Sequence, residues 1–278
     1  MRARPFLKWA GGKGQLLTEL RAVVPARSAR YFEPFLGGGA LFFDLLPAKG
    51  VLSDVNAEII DCYLAVRDHV EELIRALGAH RYDPEHYYKM REVEPFGLPL
   101  VERAARTIFL NKTGFNGLYR VNRSGKFNVP FGRYANPVIC DERNLRACSR
   151  ALSDVELAVC DFEVAVAGAR RGDFVYFDPP YVPISRTSTF TAYAPRGFGP
   201  EEQVRLSKVF RRLTERGVCV VLSNSDVPEV RDLYAGYTIR AVKAARSINS
   251  KTSRRGPVCE LVVLGTPEQR VGVRSTRI

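Results

Sequence analysis

The chain has 278 residues, with 42 Lys and Arg against 30 Asp and Glu, and a formal net charge of +12. Its 46% apolar and 26% charged residues describe a folded globular protein and exclude disorder, collagen and coiled coil as its main organisation. No run approaches the ~18 apolar residues of a membrane span, Lys8 and Gly11 break any signal-peptide core, and the excess positive charge suits a polyanionic partner.

Short apolar runs bounded by turn residues predict strands at Tyr31–Glu33, Val51–Ser53, Leu157–Cys160, Phe174–Phe177, Val218–Leu222, Tyr237–Val242 and Cys259–Leu264. Helical patterns fall at Gly39–Leu46, Asn56–Leu77 and Glu201–Arg216. Alternation of strand and helix predicts an α/β fold with a mostly parallel sheet covered on both faces. The stretch from 61 to 150 is too long for a connection, which predicts an inserted domain within a discontinuous one made of 1–60 and 151–268. Inside the insert, Gly117–Asn122 and Lys126–Pro130 flank Arg123-Ser-Gly125 and read as a hairpin. Residues 269–278 read as a basic tail.

Charge is unevenly placed. Arg103 to Arg133 holds seven basic residues and no acidic one, and Arg246 to Arg255 is also acid-free. Both are read as surfaces that track phosphates. The six cysteines are scattered, unlike a zinc site or a disulfide framework, and Cys62, Cys160, Cys219 and Cys259 sit in apolar sequence, so a reduced, cytoplasmic, metal-free protein is expected.

Two motifs carry chemistry. Glu33-Pro-Phe-Leu-Gly37-Gly-Gly39 lies between a strand and a helix, where glycine lets the backbone turn tightly against a ligand. Asp54 ends the next strand, where a carboxylate accepts from ribose hydroxyls. Glu33 would repel a pyrophosphate, so an adenosyl ligand without phosphates fits better, a purely structural loop being the alternative. Asp178-Pro-Pro-Tyr181 follows a buried strand at the end where open α/β sheets bind ligands. There a carboxylate, a carbonyl and an aromatic face can grip a planar base; a rigid strand-ending turn is the bland alternative. Lys13 is followed by Gly14 and no P-loop spacing precedes it, which excludes an NTPase. His69-Val-Glu71 lacks the cysteine pair of a deaminase zinc site and reads as a helix-surface pair.

Phe6-Leu-Lys-Trp-Ala-Gly-Gly-Lys13, Glu33-Pro-Phe-Leu-Gly-Gly-Gly39, Asn116-Gly-Leu-Tyr-Arg120, Phe127-Asn-Val-Pro-Phe-Gly-Arg-Tyr134 and Asp178-Pro-Pro-Tyr181 occur in that order. Together they resemble the Dam-type DNA adenine-N6 methyltransferases, from Phe6 to about Leu264. The resemblance implies a Rossmann-like class I methyltransferase sheet with an inserted, mainly helical target-recognition domain. It implies S-adenosyl-L-methionine as methyl donor, with Trp9, Ala10, Gly11, Lys13, Glu33, Phe35, Gly37, Gly39, Asp54, Asp161, Phe162 and Asp178 at cofactor positions. Asp178, Pro179, Pro180 and Tyr181 would hold a flipped adenine. Lys8, Asn111, Phe115, Asn116, Gly117, Leu118, Arg120, Asn128, Pro130 and Arg133 would meet duplex DNA at a GATC target, with Arg246, Lys251 and Arg254 on its backbone. In close family members the Phe115 position tends to be Tyr, and the Tyr119 position varies. The implied enzyme is a monomer of bacterial, archaeal or phage type, working at the nucleoid as a restriction-modification partner or alone. Rival expectations are an N4-cytosine or RNA amino-methyltransferase, and an inactive DNA-binding regulator of the same fold.

Overall fold

A computed structural model of the chain describes residues 1–9, 16–122, 124–183, 198–245 and 257–266. Seven strands form one sheet: β1 (Tyr31–Glu33), β2 (Gly50–Asp54), β3 (Val155–Val159), β4 (Phe174–Phe177), β5 (Cys219–Ser225), β6 (Thr238–Ala245) and β7 (Pro257–Gly265). Their order is β3-β2-β1-β4-β5-β7-β6. The first five run parallel, and β7 is antiparallel to both its neighbours. Each strand expected from the sequence is present, with ends moved by a few residues.

The helices are α1 (Leu16–Arg21), α2 (Ala40–Leu45), α3 (Ala57–Asp68), α4 (Val70–Gly78), α5 (Pro84–Glu92), α6 (Leu100–Thr113), α7 (Glu142–Leu152), α8 (Phe162–Ala165), α9 (Pro200–Glu215) and α10 (Pro228–Leu233). Successive strand residues point to opposite faces. Tyr31, Phe174, Tyr176 and Val221 therefore join one core with α1 to α4, α6 and α7. Phe32, Val175, Phe177 and Val220 join the other with α8 to α10. Burial on both faces explains why these strands read as nearly unbroken apolar runs. The topology is that of a Rossmann-like class I methyltransferase sheet.

The single helix expected over Asn56–Leu77 is two. His69, at φ −137° and ψ 38°, leaves helical geometry between α3 and α4. The Asn56 side chain accepts from the Glu58 amide at the head of α3, an arrangement worth about 1 kcal/mol, whereas His69 caps α4 with no side-chain hydrogen bond. The apolar positions alone do not register this break, because both halves keep a buried stripe.

Helix α3 crosses residue 60 and shares the core of the sheet. A separate aromatic cluster of Tyr87, Phe109, Leu110, Tyr119, Phe127 and Val129 lies beyond it. Helix α6 connects the two, with Ala104, Ala105 and Ile108 on the sheet side and Phe109 and Leu110 in the aromatic cluster. The expected hairpin folds back through an antiparallel bridge between Val121 and Phe127. Asn122 N donates to Lys126 O at 2.8 Å and Asn128 N to Arg120 O at 2.9 Å. The Asn122 side chain accepts from the Ser124 and Lys126 amides and closes the turn. Among the described residues, no helix is long and apolar enough to cross a membrane.

Candidate active site and DNA-facing surface

Four carboxylates stand side by side at the carboxyl ends of the parallel strands. Across the sheet they run Asp161 just past β3, Asp54 ending β2, Glu33 ending β1, and Asp178 just past β4. The strand order reverses between β1 and β4, so the row crosses the switch point where open α/β sheets bind ligands. Burial raises the Glu33 carboxyl to about 8, with the nearby Asp178 charge adding to it and the Tyr31 hydroxyl bond opposing it. That hydroxyl donates to Glu33 Oε2 at 2.7 Å. Burial also raises Asp54 to about 6, against bonds from the Asn56, Gly37 and Val55 amides.

The glycine turn closes over this row. Gly37 N donates to Asp54 Oδ2 at 3.1 Å, and Tyr63 OH donates to Gly37 O at 3.2 Å. Gly37 has φ +46°, and a Cβ there would lie 2.5 Å from Cδ1 and Nε1 of Trp9. Gly39 has φ +61°, and its Cβ would lie 2.7 Å from the Tyr63 hydroxyl. Positive φ and close approach both require glycine. Phe35 stacks on Phe162 at 5.4 Å, and Phe198 meets both rings edge-on. Asp161 caps α8 through the Glu163 amide and forms a bidentate pair with Arg205, whose guanidinium also lies 4.2 Å over the Phe162 ring. An aromatic wall, a glycine turn and a row of carboxylates fit a cationic adenosyl ligand. Phosphates would face the buried Glu33.

Asp178 is held from β5. Ser223 Oγ donates to Asp178 Oδ1 at 2.8 Å, and the Tyr176 hydroxyl lies 2.9 Å from the same Ser223 Oγ. Tyr181 OH donates to Glu260 Oε2 on β7 at 3.0 Å. Pro179 is buried, and the Pro180 carbonyl accepts from Gln203 Nε2 at 3.0 Å. The expected motif is thus clamped by Ser223, Glu260 and Gln203, none of which the sequence reading singled out. The one sequence signal was the abrupt change from apolar Val218–Leu222 to Ser223-Asn-Ser225 at the same strand end.

The proposed base-reading residues form one surface. Lys8 Nζ donates to the Lys112 carbonyl at 3.1 Å and lies 4.0 Å over the Tyr134 ring. Phe115 is 47% exposed, beside Asn116 in the left-handed region at φ 54°. Gly117, at φ +62°, has no room for a side chain because Lys8 packs on it. Arg120 is exposed and folds onto the hairpin, with Nε donating to Asn128 Oδ1 at 2.6 Å. Leu118 is half-buried, and Pro130 and Arg133 are exposed. Asn111 is buried; its amide bridges both backbone groups of Lys8 and the Gly117 carbonyl, so it acts here as the scaffold of that surface. Ala10, Gly11, Lys13, Arg246, Lys251, Arg254 and the 269–278 tail lie outside the described residues.

Two readings of the sequence are corrected. The acid-free run Arg103–Arg133 is not a continuous phosphate-facing surface. Arg103 pairs bidentately with Asp61, and the buried Arg106 pairs with Glu58 at 3.2 Å. The acids come from α3, so depletion along the chain is not depletion in space. Cys259 is exposed rather than packed among apolar groups, while Cys62 is buried as expected and Cys148 is buried as well, its thiol pushed up to about 12 by desolvation. His69 and Glu71 lie at the head of α4, where Glu71 pairs with Arg146. Among the described residues, no group of three or more His, Cys, Asp or Glu is placed to hold a metal ion.

Comparison with known proteins gives the family. Residues 9–248 match the family model described as D12 class N6 adenine-specific DNA methyltransferase. The chain is 45% identical over 268 residues to the Type II methyltransferase M1.LlaDCHI of Lactococcus lactis subsp. cremoris, covering 94% of each chain. It is 42% identical to the Type II methyltransferase M.MjaIII of Methanocaldococcus jannaschii, covering 95% of this chain and 99% of that one. It is 35% identical to the DNA adenine methylase of Escherichia coli K12, covering 95% and 96%. With this strand-end row, this clamped Asp-Pro-Pro-Tyr turn and these relatives, the chain belongs to the D12 class of N6 adenine-specific DNA methyltransferases.

Proposed function

We propose that the chain transfers a methyl group from S-adenosyl-L-methionine to N6 of an adenine flipped out of duplex DNA, within GATC. The observation that carries this reading is the Asp178–Tyr181 turn at the switch point, fixed by Ser223 and flanked by the row Asp161, Asp54 and Glu33. Glu33, Asp54, Asp161, Gly37, Gly39, Phe35, Phe162 and Trp9 hold the cofactor, joined by Ala10, Gly11 and Lys13. When bound, the cofactor supplies an electrophilic methyl on a sulfonium centre.

The adenine amino nitrogen is a weak nucleophile because its lone pair is delocalised into the ring. Asp178 and the Pro179 carbonyl accept its two N–H bonds and favour a more tetrahedral nitrogen, directing the lone pair toward the methyl group. Ser223 keeps the Asp178 carboxylate in the rotamer that does this. Tyr181, anchored through its hydroxyl by Glu260, offers its ring to the flipped base. Residues 1–60 and 151–268 form the cofactor-binding unit and 61–150 the recognition unit, whose aromatic cluster lies apart from the sheet although its helices α4, α6 and α7 pack on the sheet's core. Lys8, Leu118, Arg120 and Pro130 read bases, Phe115 fills the space the adenine leaves, and Arg133 with Arg246, Lys251 and Arg254 meets phosphates. GATC rests on the likeness of Asn116–Arg120 and Phe127–Tyr134 to recognition segments of that specificity. The protein acts as a monomer on one strand per event, in the reducing cytoplasm that suits its six free cysteines.

Incubation with methyl-labelled cofactor and GATC-containing duplex tests this. The digest is expected to carry label on N6-methyladenine, and a duplex with GATC scrambled should take up little. Label on N4-methylcytosine, or on RNA alone, would establish the rival amino-methyltransferase. No label with any duplex, together with tight DNA binding, would establish the inactive regulator.

A further inference from the structure

The structure assigns Tyr119 the role of a positioning residue that ties the recognition hairpin to the cofactor cleft, so that cofactor and target duplex each bind more tightly when the other is in place. The inference rests on the proposed function and concerns how its two binding surfaces communicate.

Tyr119 opens the hairpin, yet it is only 6% exposed. Consecutive side chains of extended backbone point to opposite sides, so Tyr119 turns inward where Arg120 turns outward. Its seat therefore fixes the direction in which Arg120 leaves the hairpin. Besides the Phe127 ring at 5.6 Å on the hairpin itself, two contacts hold that seat, and both lead to the cofactor cleft. The Tyr119 ring lies 5.6 Å from the Trp9 ring, tilted by 34°. Trp9 in turn covers Gly37 so closely that a single added methyl group would collide with it. A ligand resting on the Gly37 turn therefore fixes Trp9, and Trp9 fixes the Tyr119 ring.

The second contact is polar. The Tyr119 hydroxyl donates to Glu58 Oε1 at 2.8 Å, and the Glu58 amide in turn donates to Asn56 Oδ1 at 3.0 Å. Asn56 belongs to the turn that presents Asp54, and its amide donates to Asp54 Oδ1 at 2.9 Å. Glu58 is nearly buried and is held rigidly, with Oε2 accepting from Thr107 at 2.9 Å and from Arg106 at 3.2 Å. One side chain of the hairpin is thus tied to both walls of the cleft through intermediaries: to the glycine turn through Trp9, and to the Asp54 turn through Glu58 and Asn56. A ligand that orders either wall lowers the cost of seating the hairpin for the other ligand. Such coupling is reciprocal by thermodynamic necessity.

Trp9 is the only tryptophan in the chain, so its fluorescence reports on the glycine turn directly. S-adenosylhomocysteine, which binds without turnover, is titrated into the full-length protein with and without saturating GATC duplex. For the natural chain the Kd is expected to fall at least about fivefold when duplex is present, at the lower end of ordinary coupling. Tyr119→Leu, which removes both ring and hydroxyl, should bring the two Kd values within about twofold of each other. Tyr119→Phe keeps the ring on Trp9 and should retain part of the ratio. A general loss of stability would weaken both titrations alike and leave their ratio unchanged. If Tyr119→Leu does not fold, Tyr119→Phe decides alone, and an undiminished ratio overturns the proposal. So does a natural chain that binds both ligands with no coupling. No binding of S-adenosylhomocysteine under either condition would instead refute the cofactor assignment itself.

Discussion

Replacing Glu33 by Gln removes the most buried member of the strand-end row while keeping an acceptor for the Tyr31 hydroxyl. Desolvation raises this carboxyl from 4.5 to about 8, and the Asp178 charge adds to the effect. Between those values the unfolded chain has lost the proton and the folded chain keeps it. The folded state then binds one more proton, and stability falls as pH rises, by at most about 1.4 kcal/mol per pH unit. Asp54 acts with the same sign only between 3.8 and about 6. His80, lowered from 6.5 to about 4 by burial, acts with the opposite sign and is also finished above 6.5. The window from pH 6.5 to 8 therefore isolates Glu33. Integrating the titration across it gives a loss of about 2 kcal/mol for the natural chain relative to Glu33→Gln. Urea unfolding of the ligand-free proteins at several pH values across that window measures the difference. Parallel curves would refute the assignment of a protonated, buried Glu33. The same logic predicts that a sulfonium ligand beside Glu33 favours its ionised form, so cofactor binding at pH 7 should release protons to the buffer, a quantity calorimetry in two buffers of different ionisation enthalpy reads directly.

Three further substitutions probe the site. Gly37→Ala places a Cβ 2.5 Å from the Trp9 indole at a φ of +46°, and the left-handed backbone alone costs about 1–2 kcal/mol. Its cofactor affinity should drop at least about tenfold, equivalent to ~1.4 kcal/mol, with a lowered Tm; an unchanged Kd would show that the turn does not carry the ligand. Ser223→Ala removes the 2.8 Å hydrogen bond to Asp178. One such charge-assisted bond is worth roughly 1.5–3 kcal/mol, so kcat should fall about tenfold or more with KM for DNA nearly unchanged, and a normal kcat would remove Ser223 from the orientation of Asp178. Arg120→Ala should relax preference at one base pair by roughly 1–3 kcal/mol, measured by competition between GATC duplexes with single changes. An equal loss for all duplexes would make Arg120 a phosphate contact instead.

The electrostatics of the molecule divide along the same lines. Glu33, Asp54, Asp161 and Asp178 are gathered at the carboxyl ends of β1 to β4, the row proposed to take a cationic ligand. Arg120 and Arg133 are exposed on the side proposed to meet a polyanion, whereas Lys126 beside them is paired to Glu94 at 2.9 Å. Two of the arginines that made that segment look uniformly basic are instead internal struts. Arg106 donates to the Met90 and Arg91 carbonyls as well as to Glu58, fastening α5 and α6 to α3. Net charge measured along the sequence thus overstated what the protein presents to DNA.

The strands, the helices α2 and α9 and the Glu33–Gly39 and Asp178–Tyr181 turns were legible in the sequence, because each is a local property. A run of apolar residues between turn formers specifies a doubly buried strand wherever it stands, and a Pro-Pro pair or a positive-φ glycine specifies a turn from its own covalent geometry. The long helix was misread because its break at His69 leaves the pattern of buried positions intact on either side. What only the tertiary structure decided is which distant groups meet. Ser223 reaches Asp178 across 45 residues, Glu58 reaches Tyr119 across 61, and Glu260 reaches Tyr181 across 79. Strands β4, β5 and β7 lie side by side and bring the first and last pairs together, and the packing of α3 against the hairpin brings the second, in an order that is not the order of the chain. A hydrogen bond acts over about 3 Å, and such proximity is created by the packing of these elements, so no spacing in the sequence can encode it.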